Sequence, residues 1–164
     1  MKANEIFQGM SDERCRGLFE YLRAEQREIY AAAVGTLAAN RKLRPVFVQK
    51  KSVQDQITWL IKNIKMKASA EIGENVLQLW LLKGNRDLLV TFLDRLGIEH
   101  DGEGAADDIP EEIPADKLDS TITEMLKDHD PDLVRIYLQT FQLQRPNGWD
   151  TIATALEEHE ELKA

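Results

Sequence analysis

The sequence predicts an all-α protein, either an antiparallel multi-helix bundle or a HEAT-like stack of about seven to nine short helices. Apolar residues recur at helical spacing along almost the whole chain. Residues that typically begin or end helices separate these apolar stretches. The chain has 164 residues, which suits one domain better than two. We therefore expect a single all-helical domain over residues 1–164.

The first predicted helical region spans residues 11–42. Ser11 is a candidate N-cap, because its hydroxyl can accept a hydrogen bond from an unpaired amide of the first turn. Apolar stripes around Leu18 and Val34 follow at helical spacing. No breaker separates them, so the sequence leaves open whether the region is one helix or two.

A basic connector is predicted at residues 41–52. Pro45 disfavours the α conformation at Arg44, and the β-branched residues on either side of Phe47 favour extended backbone. No partner strand is apparent. We therefore expect a connector tucked against the helices, with Phe47 buried, and not a strand of a sheet.

Cap signals mark the next helices. Ser52, Ser69 and Asn85 each precede an apolar stretch with helical spacing. Gly97 followed by Ile98 predicts a Schellman stop, in which the glycine takes the left-handed conformation and the isoleucine packs back on the helix.

An acidic loop is predicted at residues 99–114, followed by three helices. The first begins at Asp116, and the second at Asp130-Pro131, where proline fits the first helical position. The last helix is short and follows Pro146. The expected core consists of Leu18, Leu22, Val34, Leu60, Ile61, Trp80, Leu89, Phe92, Leu93, Leu126, Tyr137 and Phe141.

The second half of the chain contains two similar segments about 45 residues apart. Residues 87–89 and 92–93 match residues 132–134 and 137–138 at an offset of 45, and residues 81–83 match residues 125–127 at an offset of 44. A helical hairpin repeated at this spacing has the length of a HEAT-like repeat. Because any amphipathic helix shows the same apolar stripe, a repeat and a coincidence both remain open.

Charge is distributed unevenly along the chain. The net charge is -8, but residues 1–83 carry +5 and residues 84–164 carry -13. Residues 41–67 hold eight basic residues and one acid, whereas residues 99–116 hold eight acids and no Lys or Arg. Such asymmetry indicates candidate interaction surfaces.

No catalytic or metal-binding pattern is present in the sequence. It contains no nucleotide-binding, hydrolase or zinc motif. Residues 101–112 have the length of a calcium-binding EF-hand loop, but Ala105 and Ala106 replace a ligand and the required glycine. Cys15 has arginine neighbours that could lower its pKa, yet a single helical thiol usually packs. We therefore expect no enzyme activity, no metal and no cofactor.

The sequence shows no targeting or membrane-spanning pattern. Residues 1–10 do not contain the apolar run of a signal peptide, and the longest apolar stretch, residues 76–82, is too short to span a bilayer. A single cysteine allows no internal disulfide. We therefore expect a soluble, cytoplasmic protein that does not bind membranes.

Four segments resemble a family of small bacterial helical proteins of unknown function. They are RKLRPVFV (41–48), LQLWLL (77–82), LLVTFLDRLGIEHD (88–101) and LVRIYLQTF (133–141). The resemblance covers roughly residues 41–145 and rests on residues of the packing type. It implies a bacterial, helical protein, and it implies no activity and no site residues.

Together these observations predict a protein-interaction or scaffold module without catalytic activity, whose protein partner and oligomeric state are unknown. The alternative is a nucleic-acid-binding protein that uses the basic segment 41–67, with Phe47 or Trp59 stacking on bases. The acidity of the whole chain and the absence of helix-turn-helix spacing count against that alternative. The candidate partner-binding residues are Arg41, Lys42, Arg44, Lys50, Lys51, Lys62 and Lys65.

Overall fold

A computed structural model describes residues 1–163 and is all-α, which confirms the predicted fold class. Over these residues there are ten α-helices, eight of them with seven or more residues, and no strand. The helices are α1 (Ala3–Gln8), α2 (Asp12–Glu25), α3 (Arg27–Asn40), α4 (Pro45–Gln49), α5 (Val53–Ile64), α6 (Ala70–Gly84), α7 (Arg86–Leu96), α8 (Ala115–Asp128), α9 (Pro131–Gln142) and α10 (Asp150–Glu158). Short 3₁₀ turns lie at Lys67–Ser69 and Glu160–Leu162.

Contacts between α-carbons divide the chain into two compact units. The first unit is Met1–Trp80, and the second begins at Leu81. Helix α6 therefore starts in the first unit and ends in the second.

In the first unit, α2 packs against α3 and α5, while α3 packs against α4 and α5. Helices α2 and α3 are separate, because Gln26 leaves the helical conformation with φ -137° and ψ 63°. The Ser11 hydroxyl accepts a hydrogen bond of 3.1 Å from the Arg14 amide, as the capping prediction requires. The question of one helix or two over residues 11–42 is therefore answered in favour of two.

Helix α1 was not predicted from the sequence. Its Ile6 and Phe7 side chains are buried, and the Phe7 ring stacks on that of Phe19 with 6.4 Å between centroids. A six-residue helix has little stability of its own, so this tertiary packing is what holds α1 in place.

The expectation of an extended connector at residues 45–48 is wrong. Arg44 is extended, with φ -79° and ψ 143°, but Pro45 occupies the first position of helix α4. Proline suits that position because its fixed φ matches the helix and its missing N–H would have no helical partner. The β propensity of the flanking valines is weak and context-dependent, and Val48 gains full burial within the helix.

In the second unit, α8 packs against α7, α9 and α10. An aromatic cluster joins three of the elements around it. The Phe92 ring lies 5.0 Å from Tyr137 and 5.1 Å from Phe141, both edge-on, and Phe141 lies 4.8 Å from Trp149. Burial in this cluster raises the pKa of the Tyr137 phenol well above its usual value.

Two predicted helix boundaries in this unit are confirmed. Gly97 has φ 68°, and the Ile98 amide donates to the Leu93 carbonyl at 2.9 Å, which is the Schellman arrangement. The Asp130 carboxylate accepts from the Asp132 amide at 2.9 Å and so caps α9. Asn85 occupies the N-cap position of α7, but its side chain makes no capping hydrogen bond.

The predicted core is buried in the two units with one exception, Leu126, which is partly exposed. Over residues 1–163 no helix has both the length and the apolar content needed to cross a membrane.

Candidate functional site

Exposed apolar side chains concentrate around α4. Four large apolar residues within the described part of the chain are exposed, and three of them lie within five residues of one another. Exposed basic residues flank these three in the sequence. We call the whole group the α4 patch: Leu43, Val46 and Phe47 together with Arg41, Lys42, Arg44, Lys50 and Lys51.

Packing of α4 determines which side chains face outward. Val48 is fully buried, and α4 contacts both α3 and α5. Val46 and Phe47 lie on the open side and are 41% and 59% exposed. Lys50 follows them by one helical turn, which places it beside them on the same face. The expectation that Phe47 is buried is therefore wrong, because the helix turns Val48 inward and leaves the Phe47 ring largely in solvent.

The cations of the α4 patch form no ion pairs within residues 1–163. All five are exposed, and residues 41–51 contain no Asp or Glu. None of the five forms an ion pair with any residue in the described chain. Arg41 makes one weak contact, from its Nη1 to the Met66 sulfur at 3.5 Å. The patch therefore combines three exposed apolar side chains with five exposed cations that form no ion pair in the described chain.

Lys42 adds backbone strain to the patch. Its φ is 57°, which makes it the one non-glycine residue with positive φ in the part of the chain that the structure describes. The Leu43 amide donates to the Ala38 carbonyl at 2.8 Å, so Lys42 ends α3 in the position that glycine normally fills. A side chain there costs about 1–2 kcal/mol, and strained residues of this kind cluster at functional sites.

Two of the predicted partner-binding residues lie outside the α4 patch. Lys65 is partly buried, and its ammonium is 3.1 Å from the Asp12 carboxylate. Its backbone carbonyl accepts from the Gln8 side chain. Lys62 is exposed on α5. The structure therefore brings together Arg41, Lys42, Arg44, Lys50 and Lys51, while Lys65 is engaged in local contacts.

The sequence disfavours both Cys15 as a nucleophile and residues 101–112 as a calcium-binding loop. Cys15 is fully buried, as a packing residue would be. Within residues 1–163 no group of three or more His, Cys, Asp or Glu side chains is placed to hold a metal ion.

A second feature, in the second unit, is a groove of about 480 Å³ along the acidic loop. Its apolar wall includes Ile98, Ile109 and Ile113, and three acids line it as well: Glu99, Asp108 and Glu112. We call it the acidic groove. The sequence predicted a solvated acidic loop, and it missed the groove because the loop's isoleucines lack helical or strand periodicity.

The loop that forms the acidic groove is held by specific hydrogen bonds. The Trp149 indole donates to the Pro110 carbonyl at 2.9 Å, and Arg145 donates to the Glu111 carbonyl. The Asp101 carboxylate accepts from the Glu103 and Ala105 amides at 2.8 and 3.1 Å. These two hydrogen bonds stabilise the ionised form and lower the pKa of Asp101.

His100 fixes the beginning of the same loop. Its Nδ1 accepts from the Gly102 amide at 3.0 Å, and its Nε2 is 2.6 Å from the Asp94 carboxylate on α7. A ring that accepts at Nδ1 carries its proton at Nε2, so His100 donates to Asp94. The loop is therefore anchored to α7 at one end and to Trp149 near the other.

The chain was compared with protein-family models, with curated proteins and with solved structures, and none of the three comparisons gives a match. The resemblance to small bacterial helical proteins stays a prediction, and the candidate function rests on the two surfaces themselves.

Proposed function

We propose that this chain is a protein-interaction module whose α4 patch binds an acidic partner segment carrying apolar side chains. One observation carries the proposal: Leu43, Val46 and Phe47 are exposed together with five cations that form no ion pair with a described residue. The proposal includes no catalytic step, and it places the protein in the cytoplasm on the sequence grounds given above.

The composition of the α4 patch supports this proposal. Protein interfaces typically combine a small apolar centre with a polar rim, and a contiguous exposed apolar patch marks an interaction site more often than scattered apolar residues do. Phe47 is the natural anchor, since aromatic side chains contribute much of the energy at interface centres. The five cations would speed association with an acidic partner and select against basic ones.

Nucleic-acid binding is the second candidate, and one observation favours it. Phe47 is exposed beside Lys50 and Arg44, so an aromatic ring is available for stacking next to cations that can neutralise phosphates. We place this candidate second because Leu43 and Val46 have no counterpart in a nucleic acid, whereas apolar side chains of a protein partner would cover them.

Fluorescence anisotropy with defined probes tests the proposal. The probes are an acidic amphipathic peptide with Glu, Asp, Leu and Phe, its charge-reversed Lys version, and single- and double-stranded oligonucleotides. We expect binding of the acidic peptide alone, weakened by salt and lost in Phe47→Ser and Lys50→Glu. Lys62→Glu is the matched control, because it makes the same charge change outside the patch.

The competing outcomes are distinct. Oligonucleotide binding that requires Phe47, without peptide binding, would establish the second candidate in place of the first. Equal weakening by Lys62→Glu and Lys50→Glu would show a diffuse charge effect and refute a role for the patch.

A further inference from the structure

We infer that the partner of the α4 patch is a second copy of this chain, which presents its acidic groove. The inference rests on the proposed function, because it assigns an occupant to the same surface. It is drawn from two surfaces of one chain that are opposite in charge and that both include apolar side chains.

Charge complementarity is the first support. The α4 patch contributes five cations and no acid. Three acids, Glu99, Asp108 and Glu112, line the acidic groove, and one cation, the Lys117 ammonium, lies beside Gly97 in its wall. All three acids are exposed. Opposite charges arranged in this way steer two molecules together and fix their orientation.

Apolar complementarity is the second support. The wall of the acidic groove is built from Leu96, Ile98 and Ile113, and Ile109 and Pro110 complete it. Its volume of about 480 Å³ lies within the usual range of ligand pockets. Phe47 projects from α4 with more than half of its surface exposed, so it is the side chain of the patch best placed to enter such a groove.

The acidic groove is already formed in the free chain, which is the third support. The Trp149–Pro110 and Asp101–Glu103 hydrogen bonds hold its loop in place without a bound partner. A surface that is already ordered loses less entropy on binding than one that must fold.

The use of two different surfaces allows two forms of assembly. Two copies that make both patch–groove contacts at once form a closed, reciprocal dimer. Copies joined by a single patch–groove contact leave one patch and one groove free, so they add head to tail into a ring or an open chain. The interface is small and charged, so we expect association to increase with protein concentration and to decrease with salt.

Sedimentation velocity on the full chain tests the inference with two variants. The patch variant is Phe47→Ser with Lys50→Glu, and the groove variant is Asp108→Lys with Glu112→Lys. All four residues are at the surface, so circular dichroism should show unchanged helicity. Wild type should form dimers, or larger species if the contact is not reciprocal, at high concentration and low salt, and each variant alone should stay monomeric.

An equimolar mixture of the two variants is the decisive sample. The patch variant keeps an intact groove, and the groove variant keeps an intact patch, so the mixture should form a dimer and nothing larger. Lys62→Glu should associate as wild type does.

Three outcomes would overturn the inference: a wild type that is monomeric throughout, a mixture that stays monomeric, or a groove variant that associates as wild type does. Binding of the acidic peptide distinguishes failure of this inference from failure of the proposed function. The groove variant should still bind that peptide, so peptide binding by a monomeric wild type would retain the interaction module and assign its partner to another acidic protein.

Discussion

Phe47 and Val48 are consecutive residues of α4 whose side chains lie in opposite environments: Phe47 is 59% exposed, and Val48 is wholly buried. The buried valine attaches the short helix to the first unit, and the exposed phenylalanine remains available to a partner. The stability of the first unit therefore depends on Val48 and binding depends on Phe47, so separate substitutions can change each property alone.

Val48→Ala should lower the free energy of unfolding by about 2 kcal/mol, because it removes two buried carbon groups and leaves a small cavity. Phe47→Ser should change that free energy by less than about 0.5 kcal/mol, as surface substitutions usually do. Urea denaturation followed by circular dichroism measures both. A large loss of stability in Phe47→Ser would mean that the ring is packed and not exposed.

Lys42→Gly should raise the free energy of unfolding by up to about 1 kcal/mol. The left-handed conformation of Lys42 costs about 1–2 kcal/mol, and the extra freedom of glycine in the unfolded chain offsets about 0.5–1 kcal/mol of the gain. The same change should weaken binding of the acidic peptide, because one cation of the α4 patch is lost. Lys42→Ala is the control: it should weaken binding equally without gaining stability.

Several local features of this fold could be predicted because their causes are local. The cap at Ser11, the Schellman stop at Gly97 and the proline start of α9 each depend on a few adjacent residues. The apolar stripes identified the core for the same reason, since periodicity alone indicates which face of a helix is buried.

The features that could not be predicted from the sequence depend on tertiary contacts. Helix α1 exists because Phe7 reaches Phe19, and α4 exists because Val48 is buried against α3 and α5. The basic residues of the α4 patch were predicted from charge, but its apolar centre depended on the helical state of residues 45–49. The repeat of about 45 residues in the second half of the chain stays a prediction. Any two amphipathic helices bury similar faces, so the burial of the two segments does not distinguish a repeat from a coincidence.

Gly35→Ala should stabilise the chain by about 1 kcal/mol, because Gly35 lies inside α3 and a Cβ there meets no atom within 4 Å. Gly73→Ala in α6 should give none of this gain. A Cβ at Gly73 would lie 3.2 Å from the Ala3 Cβ and 3.4 Å from the Phe7 ring, so α1 would have to shift. Thermal unfolding of the two variants compares them directly, and an equal gain would show that α1 does not pack on Gly73.

Trp149→Phe should lower the free energy of unfolding by about 2–3 kcal/mol, because it removes a hydrogen bond and leaves a cavity where part of the buried indole ring was packed. The change keeps an aromatic ring against Phe141 but removes the indole donor to the Pro110 carbonyl. Amide hydrogen exchange should become faster around Ile109 and Ile113. Trp59→Phe is the control, and it should leave exchange in this loop unchanged.

The acidic groove should loosen at low pH through Asp101. Its pKa is lowered because the ionised carboxylate accepts from the Glu103 and Ala105 amides. The resulting stabilisation of the loop is complete above the ordinary pKa of an aspartate, and it is lost as the pH falls through the lower pKa of the folded state. NMR titration should show the Glu103 and Ala105 amide signals shifting together at that lower pKa.

Asp101→Asn supplies the control for this titration. The amide oxygen of the substituted side chain can still accept a hydrogen bond but cannot titrate, so the two amide signals should lose their shared transition. A transition of unchanged position in the variant would show that a group other than Asp101 governs the loop.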